Sequence, residues 1–96
     1  MESVNLLEIK GTGNLIPQLL KVVEKGNTDN ETVDQIAVLT GNQTHAIFGF
    51  TVSDFALASL IWIDTPYSIK KFDEVYMGLD LGDKVRVQDM IANRRN

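Results

Sequence analysis

The chain has 96 residues, 44% hydrophobic and 23% charged, which suits one globular domain and is too short for two ordinary ones. It has no cysteine and a single histidine, His45, so disulfides, thiolate metal sites, cysteine nucleophiles and multi-histidine metal centres are excluded. The net charge of −4 comes from scattered acids, which disfavours non-specific binding to nucleic acid or anionic membrane.

Val4 to Lys10 alternates imperfectly between apolar and polar residues and ends at Gly11-Thr12-Gly13, which predicts a first strand. Asn14 suits an N-cap and Pro17 a first helical turn. Leu15, Leu19, Val22 and Val23 recur at helical spacing before Gly26, so a helix is predicted over 14–25. Two runs then flank Gly41-Asn42: Ile36, Val38 and Thr40, and Thr44, Ala46, Phe48, Phe50 and Val52. Their alternation around a Gly-Asn pair predicts a β-hairpin.

Ser53 can cap a helix that begins near Asp54. Phe55 to Ile63 is apolar almost all round, as a helix buried on several sides would be. It is much shorter than the roughly 20 residues that cross a bilayer. Thr65-Pro66 offers a fresh cap, so the helical region is predicted to extend over 54–72. Val75, Met77, Leu79 and Leu81 alternate before Gly82-Asp83, and Lys84 to Gln88 alternates after it. This predicts a second hairpin; a helix from Asp83 to Arg94 fits the same residues. Residues 92–96 are expected to fray.

The predicted fold is therefore a single α+β domain spanning 1–96. It has an antiparallel or mixed sheet of four or five strands, with helices on one face. The element order matches the β-α-β-β-α-β order of ferredoxin-like domains, followed by a terminal hairpin. That match concerns element order alone and implies no function.

No motif assembles a catalytic site, a metal site or a cofactor site. Gly11 and Gly13, between a strand and a helix, are candidates for phosphate binding. They match neither the dinucleotide nor the P-loop fingerprint. His45 has no serine or carboxylate placed beside it by any motif. Asp73, Glu74, Asp80, Asp83 and Asp89 lack calcium-loop spacing. Arg94 and Arg95 are the candidate nucleic-acid contacts; nucleic acid is otherwise a poor fit to this acidic chain. The opening Met1-Glu2 lacks a basic segment followed by an apolar stretch, so a cytoplasmic chain is expected.

The functional expectation is a non-enzymatic protein–protein interaction module. It would self-associate or dock a partner through the 55–63 segment, with Phe55, Leu60 and Trp62 as anchors. Two other classes fit the composition. One is an acidic accessory regulator of a basic, nucleic-acid-handling partner. The other is a small-ligand binder or enzyme whose site is assembled from distant residues.

Overall fold

A computed structural model describes residues 21, 23–26, 28–44 and 49–94. They form an all-helical domain of four helices, with no strand among them. In chain order these are α1 (Asn30–Val38), α2 (Val52–Ile63), α3 (Pro66–Tyr76) and α4 (Leu81–Arg94), with a 3₁₀ turn at Leu39–Gly41. The α+β prediction is thus overturned. The first predicted strand, over 4–10, and residues 45–48 of the first hairpin lie outside the described residues. The 14–25 helix is described only at its end: Lys21, Val23 and Glu24 are helical and Gly26 has φ 72°.

Asp29 starts α1 by accepting a hydrogen bond from the Thr32 amide at 2.8 Å. That amide bond holds the Asp29 carboxyl below its ordinary value. Thr32, Val33 and Ile36 form the buried stripe. Their spacing is helical. The alternation of Ile36, Val38 and Thr40 that suggested a strand is incidental, since Val38 points to solvent, 63% exposed.

Helix α2 has the most elaborate start. Thr51 is its N-cap, two residues before the predicted Ser53. Thr51 Oγ1 accepts from the Asp54 amide at 3.1 Å, and Asp54 Oδ2 accepts from the Thr51 amide at 2.9 Å. This reciprocal box satisfies donors that a helix start otherwise leaves open. The next two amides, of Val52 and Ser53, donate to the carbonyls of Thr44 and Asn42 at 3.0 and 2.8 Å. Phe50, just before the cap, meets Phe55 edge-on with ring centroids 6.5 Å apart, a hydrophobic staple that sets the entry of the chain. Ser53 is instead a tie to the 3₁₀ turn that follows α1: its hydroxyl donates to the Thr40 carbonyl.

The predicted 54–72 helical region is two helices. Asp64 breaks it by adopting a left-handed conformation, φ 56°. The Thr65-Pro66 pair then opens α3. Thr65 Oγ1 accepts from the Ser68 amide at 3.1 Å, and Ser68 Oγ accepts from the Thr65 amide at 2.9 Å, with Pro66 in the first turn. Phe72 and Tyr76 stack one turn apart, their centroids separated by 4.8 Å.

The second predicted hairpin is also replaced. Val75 and Tyr76 end α3, and Met77 to Asp80 make the turn. Asp80 Oδ1 accepts from the Asp83 amide at 2.8 Å to start α4. Val87, Met90 and Ile91 are its buried stripe, at spacings of three and four. The competing helical reading of 83–94 is the correct one, beginning two residues earlier. The backbone of Ala92 to Arg94 continues α4, while Arg95 and Asn96 lie outside the described residues.

Helix α2 packs against α1, α3 and α4, and α1 also packs against α3. One charged network reinforces the α2–α4 contact. Arg86 Nε donates to buried Asp54 at 3.2 Å, and Arg86 Nη2 also donates to Asp83. The two carboxylates, Asp54 foremost, raise the guanidinium pKa further above its ordinary value.

Two substitutions test this packing order by chemical denaturation. Thr51→Ala removes one half of the capping box and is expected to cost about 1 kcal/mol. Leu60→Ala opens a cavity against fully buried Leu60 neighbours and is expected to cost about 2–5 kcal/mol. A Leu60→Ala cost below that of Thr51→Ala would mean α2 is not the packing centre.

Candidate docking surface

Two of the three proposed anchors are core residues. Phe55 and Leu60 are buried within α2, and Trp62 is half-buried against the same core. Arg94 is the last residue of α4, and Arg95, Gly11 and Gly13 lie outside the described residues, as does His45. The described residues thus leave the phosphate and nucleic-acid candidates untested. Among the described residues, no group of three or more acidic or histidine side chains is placed to hold a metal ion. The acids at the α3–α4 turn have local roles: Asp80 caps α4 and Asp83 pairs with Arg86. No helix among the described residues is long and apolar enough to cross a membrane.

Large apolar side chains do reach the surface elsewhere. Val38 is 63% exposed, Met77 and Leu81 are each 77% exposed, and Val85 is 52% exposed. Val38 ends α1 and Met77 follows the end of α3. Leu81 and Val85 share one face of α4, a turn apart. The alternation reading had placed Val38 and Met77 in strands. With a helical period they fall outside the buried stripes.

Helices α1 and α3 leave a groove of about 470 Å³ between them, open to solvent. On one wall α1 places Asp34, Ala37 and Val38, and on the other α3 places Tyr67, Lys71, Glu74 and Val75. A second shallow groove of about 530 Å³ runs along α3 past Ile69, Lys70, Asp73 and Met77. Helix α3 thus borders both.

The α1–α3 groove has a definite polar frame. Tyr67 Oη donates to Asp34 Oδ1 at 2.7 Å across it. Lys71 Nζ lies 5.3 Å from the centre of the Tyr67 ring, in cation–π range. The hydrogen bond to Asp34 raises the Tyr67 pKa, because ionising the phenol would set an anion against a carboxylate; nearby Lys71 opposes the shift. Glu74, on the rim, makes no hydrogen bond or ion pair with another described residue. No pattern local in sequence links Asp34 to Tyr67, which lie 33 positions apart, and only the packing of α1 on α3 pairs them.

Comparison with known proteins adds no relative: no family model, curated protein or solved structure matches the chain.

The Tyr67–Asp34 bond has a pH signature. The folded-state pKa of Tyr67 lies above the unfolded one, so its stabilising contribution is complete below the ordinary tyrosine pKa of about 10 and is lost as pH rises through the raised value. The difference in urea midpoint between wild type and Tyr67→Phe should therefore be constant through neutral pH and shrink in strongly alkaline solution. A difference that persists unchanged there would contradict the assigned donor.

Proposed function

We propose that this chain is a cytoplasmic, non-enzymatic interaction module that recognises another protein through side chains displayed beside α3. The observation that carries the reading is the exposure of Val38, Met77, Leu81 and Val85, when the other large aliphatic residues among those described are buried or half-buried. Single exposed apolar residues are common. Here Val38 and Met77 border the two grooves that flank α3, and Leu81 and Val85 follow directly across the turn. Of the three anchors expected from sequence, Phe55 and Leu60 are replaced, because both are occupied in the core. The absence of a metal-type cluster among the described residues leaves apolar and charged contacts as the chemistry these side chains offer.

The test combines capture with substitution. Tagged wild-type chain and a Met77→Ser, Leu81→Ser double variant are used to capture protein from a lysate of the source cells. Both positions are exposed, so the variant should keep its unfolding free energy within about 0.5 kcal/mol per site. A protein retained by wild type and reduced about tenfold or more with the variant is the expected result. Equal recovery by both, or recovery by neither, removes the ground for the reading.

A further inference from the structure

We infer that the α1–α3 groove receives a basic amphipathic helix from a protein partner; this rests on the interaction-module reading and names the partner's chemistry. The shape of the groove narrows the choice first. It is open to solvent along α1 and α3, whereas small-molecule sites enclose most of the ligand surface. Both walls are helical, and no strand edge exists among the described residues, so strand addition has no template there. A polyproline segment needs an exposed aromatic trough. The aromatic residue on this groove is Tyr67, whose ring already has the Lys71 ammonium over it and whose hydroxyl is held by Asp34. A third helix set into the groove between two helices remains, with its apolar side chains against Ala37, Val38 and Val75.

Charge sets the second requirement. Asp34 and Glu74 stand on opposite walls of the groove. Asp34 engages one carboxylate oxygen with Tyr67, and Glu74 engages neither with a described residue. The base that lines the groove is Lys71, and it is turned onto Tyr67. Two acids against one engaged base favour lysine or arginine on the rims of the incoming helix, in keeping with a chain of net charge −4. Val38 supplies the apolar contact that is left uncovered, at 63% exposure.

The probe is a synthetic peptide of about 15 residues, long enough to form a helix on binding, with leucines at helical spacing flanked by lysines. A counterpart carries glutamates in place of the lysines. Each is titrated into the ¹⁵N-labelled full chain and followed by amide chemical shifts. The lysine peptide is expected to shift residues 34–38 and 67–75 and to weaken as salt rises from about 0.05 to 0.5 M. An Asp34→Asn, Glu74→Gln variant should bind it about tenfold more weakly, and Val38→Ser should weaken it without restoring binding of the glutamate peptide. Equal binding of both peptides overturns the charge assignment. Shifts centred on Leu81 and Val85 overturn the groove assignment and leave the interaction-module reading standing. No shift with either peptide overturns the inference, and the capture experiment then judges the broader reading by itself. Concentration-dependent shifts at 34–38 and 67–75 without peptide would show that a second copy occupies the groove, and would equally overturn it.

Discussion

Ten of the twelve residues of α2 are buried, on every side of the helix. A helix without a polar face cannot lie on a surface, because each exposed turn would leave apolar area in water at about 25 cal/mol per Å². It must be enclosed. Helices α1, α3 and α4 meet this demand, each turning a narrow apolar stripe inwards: Val33 and Ile36 from α1, Phe72 from α3, and Val87, Met90 and Ile91 from α4. The amphipathic helices are therefore arranged by the one helix that is not amphipathic.

That arrangement places polar atoms in the interior, and local geometry has to satisfy them. Asp54 is buried at the start of α2, where its carboxylate accepts from both the Thr51 amide and Arg86. A buried carboxylate without such partners would be costly. Ser59 turns its hydroxyl back to the Phe55 carbonyl at 2.7 Å, and Ser53 reaches Thr40. Small hydroxyl residues let α2 carry polar groups at two positions, Ser53 and Ser59, and still be packed on all sides. The same bonds tie the N-terminus of α2 to the 3₁₀ turn after α1 and to α4, so the start of the central helix is also the junction of the domain.

The surface available for recognition follows from what enclosure leaves over. Three helices around one cannot also cover each other completely, and α1 and α3 meet along only part of their faces. The groove between them takes its polar frame from Tyr67 and Asp34 and its apolar floor from Ala37, Val38 and Val75. Enclosing α2 is thus what brings Phe55 and Leu60 inside and leaves Val38 outside. A binding surface inferred from apolar density alone points at Phe55 and Leu60, which the fold hides.

Some of this was legible in the residues themselves. Thr65-Pro66 marked a helix start, because a hydroxyl at the cap and a proline without an amide donor each suit that position locally. The all-round apolar character of 55–63 marked a segment with no face for solvent. The strands predicted over the described residues did not survive, and the reason is physical. Ile36-Val38-Thr40 and Val75-Met77-Leu79-Leu81 alternate over only a few residues, and a short alternating run is compatible with a helix whose buried stripe takes every third or fourth position. Which period governs is settled by what the segment packs against. Asp29 and Asp80 are N-cap residues that read equally well as turn residues, and the demand of α2 for cover decided between those roles. The sequence by itself determined where α3 could start and that 55–63 is apolar on almost every side; it did not decide whether the fold or a partner covers that segment. The tertiary structure alone decided that the described elements enclosing α2 are helical, and that Asp34 and Tyr67, 33 positions apart, share a surface. Pairings over such distances come from helix packing, and no local pattern of residues encodes them.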